Sequence, residues 1–355
     1  MGFILGHEGK GSLLSFLKEK GWATSLSAGA GSDTKEYGRA SVKIGLTEQG
    51  LKDYEEVLMA TVDYIRLMKN AGYQEHVFNE LKTMAELEYV YGAKGEGMWR
   101  ATQLANEAMM YPLENVGKIN YMYNDNSPNS YEDLLEQLEL NNMLVVITAK
   151  GVSTDQVEYY YNAPYSYQED KALYSLLLEK RENKKLKIPK VNPFIPTTAS
   201  VPNRDIVDNK LPRLLSSDLG HELYFGEDHE FLRPKGMISL KILMPQEQMS
   251  LNHRVYSKIY SACVNESLNE LGYPAKQAGL NYSFREGYEG FYITINGYSE
   301  SATSLYETLL AHMVDFKVSE EQFSAIQDKI IRSYENFSLS DAHQQTREKG
   351  YDVFD

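Results

Sequence analysis

Leu5-Gly6-His7-Glu8-Gly9-Lys10-Gly11-Ser12-Leu13-Leu14-Ser15-Phe16-Leu17-Lys18-Glu19-Lys20-Gly21-Trp22 reads as a glycine-rich turn feeding a short amphipathic helix. Leu13, Leu14, Phe16 and Leu17 fall on one helical stripe, and Gly21 sits where a helix ends on a left-handed residue. A strand is expected near 23–27, followed by a small-residue segment, Ala28-Gly29-Ala30-Gly31. Ala40, Val42, Ile44 and Leu46 then alternate with Ser41, Lys43 and Gly45, the period-two pattern of a strand buried on one face. Thr47 is expected to cap a long helix bearing Leu51, Tyr54, Leu58, Val62, Ile65 and Met68, which Gly72 ends. Another helix starts near Gln74.

The same order returns later in the chain. A helix carrying Val255, Ile259, Cys263 and Leu268 is expected to stop at Gly272-Tyr273. Two strands, 280–284 and 291–295, flank a turn at Gly287, and a helix with Leu305, Leu309, Leu310 and Met313 follows. Ser319-Glu320-Glu321-Gln322-Phe323 opens one more. Trp22 and Tyr273 are 251 positions apart, as are Ile44 and Ile295, so the pattern reads as a domain-scale duplication of one α+β unit. Between the copies, Ile188-Pro189-Lys190-Val191-Asn192-Pro193-Phe194-Ile195-Pro196 carries three prolines and favours an extended connector. The expected division is 1–200 and 201–355. Residues 143–148 read as a late strand of the first unit, and residues 237–243 as an early strand of the second.

Composition narrows the function. A chain of 355 residues, 42% hydrophobic and 24% charged, can bury two ordinary cores. Its net charge of −14 argues against nucleic acid, whose phosphates demand clustered Lys and Arg, and favours a peptide or protein partner. The single cysteine, Cys263, excludes an intrachain disulfide and any multi-cysteine metal site. The opening apolar residues reach Gly6-His7-Glu8 too soon for a signal sequence, and no run approaches a membrane span. A soluble fragment without a membrane partner is expected, since the first residues look like a half-formed apolar segment and the last, at Asp355, like a helix still in progress. The compartment stays open between cytoplasm and periplasm.

The chemistry-bearing residues fail the usual tests. Of the seven histidines, four adjoin a glutamate: His7-Glu8, Glu75-His76, His221-Glu222 and His229-Glu230. Zinc hydrolysis needs two histidines one helical turn apart with a carboxylate to take a proton from bound water. No pair here has that spacing, and His76 with Glu80 is half a ligand set. The 6–12 segment looks like a phosphate-cradling loop, but a P-loop with its lysine at Lys10 would need glycine where Ile4 stands and Ser or Thr where Gly11 stands. A tight turn into the helix accounts for it. Gly29-Ala30-Gly31-Ser32 lacks the third glycine of a dinucleotide fingerprint, and Cys263, on a helix's apolar face, makes a poor nucleophile. The 27 tyrosines, Tyr159-Tyr160-Tyr161 among them, read as core and rim packing. Neither a catalytic residue nor a metal ligand is expected.

The 5–22 run resembles the start of the second domain of the insulysin/pitrilysin family of zinc metallopeptidases. Further anchors follow in the family's order: Leu46-Thr47-Glu48-Gln49-Gly50-Leu51, Tyr111-Pro112-Leu113-Glu114, Asn192-Pro193-Phe194-Ile195-Pro196-Thr197, Ala275-Lys276-Gln277-Ala278-Gly279-Leu280, and Asn336-Phe337 with His343-Gln344. The resemblance implies an α+β fold of repeated two-layer units, antiparallel sheet packed with helices, as in insulysin and the mitochondrial processing peptidases. It implies a parent of four such domains enclosing a peptide-degrading chamber. Its zinc and H-x-x-E-H motif belong to a first domain that lies outside this sequence. This chain would supply the second domain, 1–200, and part of the third, 201–355. Its role would be to bind peptide substrates and help to form the chamber, with the remaining domains of the parent as partners. A scaffold paralogue without peptidase activity is the alternative. In insulysin-like enzymes an exosite of the second domain holds the substrate's amino terminus, and the matching positions are Gly6, Glu8, Leu26 and Ala28. Ala28 stands where the family has glycine, and Ala30 where it has a polar residue.

Overall fold

The computed structural model describes residues 1–32, 36–93, 95–179, 181–201, 211–218, 220–227, 231–245 and 250–346. In chain order come α1 (Gly2–Leu5), α2 (Leu13–Glu19), β1 (Ala23–Ser32), β2 (Gly38–Leu46), α3 (Glu48–Lys52), α4 (Tyr54–Ala71), α5 (Glu75–Tyr91), α6 (Gly97–Met110), α7 (Pro128–Glu136), β3 (Gln156–Val157), β4 (Pro164–Tyr165) and α8 (Lys171–Leu178). Then follow β5 (Arg213–Asp218), β6 (His221–Phe225), β7 (Lys235–Leu243), α9 (Leu251–Gln277), β8 (Asn281–Gly287), β9 (Gly290–Tyr298), α10 (Ser299–Val314) and α11 (Glu320–Glu335). All strand pairings are antiparallel, and the fold is α+β. His229 and Glu230, together with the chain's last nine residues, lie outside the described residues.

The chain forms two compact units that do not follow a single cut. One comprises Met1–Asn79 and Tyr123–Val191, the other Glu80–Met122 and Asn192–Asp355. In the first unit, Ser12 accepts a hydrogen bond from the Ser15 amide at 3.1 Å and starts α2. Gly21, at φ +69, ends it and turns the chain into the β1–β2 hairpin. The small residues 28–31, expected after the strand, lie inside it. Thr47 accepts from the Gly50 amide at 2.9 Å, but the helix it caps is only α3. The chain breaks at Asp53, whose carboxylate accepts from Trp22 Nε1 at 2.9 Å and Gln49 Nε2 at 2.6 Å, and restarts as α4. Of the anticipated stripe, Val62 and Met68 are buried, together with Val57, Met59 and Tyr64, which periodicity had not marked. The helix is covered on more than one side, so one stripe understates its core. Met59 and Val62 pack with Leu177 of α8.

The expected strand at 143–148 is corrected: the backbone forms no strand there, and Leu144 and Val146 stay 73% and 74% exposed. The β-forming side chains are present, but a strand is completed by a neighbour's hydrogen bonds, and among the described residues none is placed to supply them.

In the second unit a three-stranded sheet of order β7-β9-β8 packs on α9 and α10 around Val264, Leu268, Leu280, Phe284, Ile293, Ile295, Leu305 and Leu309. Helix α9 does not stop at Gly272-Tyr273 but runs through Gly272 and Pro274 to Gln277. Gly272 serves packing instead, because a Cβ there would lie 2.1 Å from the Tyr282 hydroxyl. Gly279, at φ +73, provides the turn out of the helix. Serine 319 opens α11 with a reciprocal capping box to Gln322. The proline-bearing stretch lacks regular structure, yet it is fastened: Phe194 is only 8% exposed within this core, and its carbonyl accepts from Ser301 Oγ at 2.9 Å. Just beyond, the amides of Thr197, Thr198 and Ala199 and both threonine hydroxyls donate to Glu300, holding its carboxyl well down, at about 2.

Candidate functional site

Gly6, Glu8, Leu26 and Ala28 all belong to the first unit, and the fold brings two of them into contact. Gly6 ends α1 where that turn meets β1. A Cβ on Gly6 would lie 3.3 Å from the Ala28 nitrogen and 3.5 Å from its oxygen, so any side chain there would sit against the peptide groups of Ala28. On its other side β1 is paired with β2, Leu26 opposite Ile44 and Ala28 opposite Val42. Leu26 is buried, so its side chain anchors the strand and only its backbone can serve a ligand. Gly29 and Gly31 face open space, with no atom within 4 Å of where a Cβ would stand. Glu8 is exposed and makes no hydrogen bond or ion pair with the described residues.

The loop between Gly6 and α2 is held by His7, by Gly11 and by the buried Tyr64 of α4. Half-buried His7 accepts the Gly9 amide at Nδ1, 3.0 Å away, and packs edge-on to Phe3. A Cβ on Gly9 would lie 2.5 Å from His7 Cε1. Gly11, at φ +85, accepts from the Lys187 amide at 2.8 Å, and the hydroxyl of Tyr64, 0% exposed, lies 3.4 Å from the carbonyls of both Ile4 and Lys187. A buried tyrosine on α4 thus ties α1 to the segment that follows α8, two pieces that share no motif. Burial pushes the His7 imidazole down to about 4. Between the ordinary value of 6.5 and about 4 the unfolded chain therefore binds the extra proton. The stability His7 contributes is complete above pH 6.5 and is lost as pH falls towards 4. Urea melts of the first unit between pH 7 and pH 4 should show this loss, and His7→Gln should remove most of it; an unchanged slope in the variant would assign the loss to other groups.

The remaining candidates are dispersed. His76 Nε2 bonds to the Pro189 carbonyl at 3.0 Å, and Glu80 accepts from the Asn192 amide at 2.8 Å; each is committed to the backbone of the 188–196 stretch. His221 lies exposed on β6. Cys263 is buried, and burial raises its thiol. Among the described residues no three His, Cys, Asp or Glu side chains are grouped to hold a metal ion, so they do not fit zinc. Tyr159, Tyr160 and Tyr161, expected as packing residues, stand over 80% exposed on the β3–β4 tip, where Glu158 accepts from the Tyr160 and Tyr161 amides.

Small antiparallel sheets packed with helices define an α+β class. Residues 89–351 match the middle or third domain of the M16 peptidases, and residues 1–85 match the M16 peptidase inactive domain. The chain belongs to the M16 peptidase family, as an insulysin/pitrilysin-type member. It is 29% identical to human insulin-degrading enzyme over 97% of its own length and 34% of that protein. It is 30% identical to the A-factor-processing enzyme of Saccharomyces cerevisiae over 94% of its length and 33% of that protein. The crystal structure of pitrilysin superposes with a TM-score of 0.79 at 19% identity, covering 97% of this chain and 37% of pitrilysin. The chain thus spans about a third of these relatives.

Proposed function

We propose that this chain is a non-catalytic, substrate-binding and chamber-forming part of a longer zinc metallopeptidase, and that β1 receives the amino-terminal end of an extended peptide. The observation that carries the proposal is the side-chain-free approach of Gly6 to the peptide groups of Ala28, with uncommitted Glu8 two residues away. A peptide laid along β1 would pair its backbone with the strand, the small residues 28–31 would leave room for its side chains, and Glu8 would meet its ammonium group. Zinc and the hydrolytic residues would come from domains outside this sequence. An H-x-x-E-H motif elsewhere in the gene would support an active parent over a scaffold.

The test is a cycle. A peptide with a free amino terminus and its N-acetylated twin are titrated against the wild type and Glu8→Gln. A charge-assisted hydrogen bond contributes roughly 1.5–3 kcal/mol, less where water screens it. Acetylation should therefore weaken wild-type binding by about tenfold and matter little in Glu8→Gln. Equal binding of both peptides to the wild type would remove Glu8 from the role.

A further inference from the structure

The second unit contains a hollow of about 380 Å³ to which nothing above gives a use. One wall is a single face of α6, where Trp99, Gln103, Glu107 and Met110 recur at helical spacing; the other is formed by Tyr111 and Asn120. The apolar ends of such a stripe ordinarily meet a core, yet Trp99 is 68% and Met110 55% exposed. Within the hollow lies one buried ionisable group. Glu107, at 7% exposure, accepts from Gln103 Nε2 (2.7 Å) and Asn120 Nδ2 (3.1 Å) at Oε1, and from the Gly117 amide (2.6 Å) at Oε2.

A carboxylate offers about four acceptor sites, so one remains on Oε2. No cation pairs with Glu107 among the described residues. Arg100 stands nearby but turns its guanidinium to the Gly117 carbonyl and Gln103 Oε1. Three neutral donors orient the carboxylate without cancelling its charge, and a buried charge is best matched by an opposite one. The indole and phenol beside it add aromatic faces, which attract cations and pack against methylene stems. A ligand satisfying both has a positive head on an apolar stem.

We propose that this hollow receives the side chain of an arginine or lysine from a peptide or protein, its charge meeting Glu107 and its stem lying between Trp99 and Tyr111. The site is separate from β1, so it stands or falls apart from the amino-terminus reading. The chain's net charge of −14 favours the approach of basic partners from a distance.

The experiment uses Nα-acetyl-arginine methylamide and its lysine and norleucine counterparts, titrated into the whole chain and followed by the two tryptophan indole N–H signals. Trp22, whose indole donates to Asp53, belongs to the other unit and serves as the control. Saturable movement of the Trp99 signal is expected with the arginine and lysine compounds, at least about tenfold tighter than with norleucine. Glu107→Gln should abolish that preference while its melting curve reports on folding. Should that variant unfold, Trp99→Ala, at an exposed position, carries the test: read on the Met110 methyl signal, the charged compounds should bind at least fivefold more weakly. Norleucine binding as tightly as arginine, shifts that never saturate, or a Trp99→Ala variant that binds normally would each overturn the proposal.

Discussion

Gly50→Ala is expected to destabilise the first unit by about 3 kcal/mol, the upper part of the usual cost of overpacking. Gly50 lies in α3 with no unusual torsion to excuse it; what excludes a side chain is the Trp22 carbonyl, 1.8 Å from where the Cβ would stand. That carbonyl is not free to withdraw, because it accepts from the Thr47 amide at 3.0 Å, while the Thr47 hydroxyl donates to the Gly21 carbonyl at 2.6 Å. The end of α2, the start of β1 and the cap of α3 are therefore one knot. In hydrogen exchange, amides of β1, β2 and α4 should open faster in the variant, and those of α9 and α10 should not. A loss below about 1 kcal/mol would mean that α3 slides freely past Trp22.

Phe194→Ala should cost the second unit a similar amount, about 3 kcal/mol, the lower end for a buried phenylalanine. Read as a proline-rich connector, this residue would be dispensable. In the fold its ring joins Leu305, Leu309 and Ile295, and its backbone is held by Asn192, whose Oδ1 accepts the Phe194 amide at 3.0 Å, while Asn192 Nδ2 donates to the Pro274 carbonyl at 2.7 Å. Faster exchange in α9 and α10 with β1 and β2 unchanged is the expected pattern; no change in either would show that the stretch is a solvated linker.

These two residues mark what the sequence could and could not convey. Hairpins and caps were legible because their signals are local: alternation at 40–46, a glycine turn at 287, a Ser-x-x-Gln box at 319. Helix α9 passed its expected stop because a glycine ends a helix only if the chain turns left-handed there, and Gly272 is spent on the Tyr282 ring instead. The strand expected at 143–148 depends on a neighbour's hydrogen bonds, which no local pattern reports. The grouping of 80–122 with residues beyond 192 is equally non-local, whereas the sequence reading kept 1–200 together. For the candidate site, resemblance supplied the positions of Gly6, Glu8, Leu26 and Ala28, but the approach of residue 6 to residue 28 depends on a helix and two turns between them. Tyr64 and the α6 hollow carried no motif; the recurrence of Trp99, Gln103 and Glu107 at four-residue spacing was the one available signal.

Residue-resolved amide signals of the chain, recorded while an extended peptide with a free amino terminus is titrated to saturation, test the central claim most directly. Strand addition at β1 predicts shifts at residues 6–8 and 28–31, with slowed amide exchange within 28–31 as new backbone hydrogen bonds form. Saturable binding that leaves 28–31 untouched, or no saturable binding at all, would contradict it.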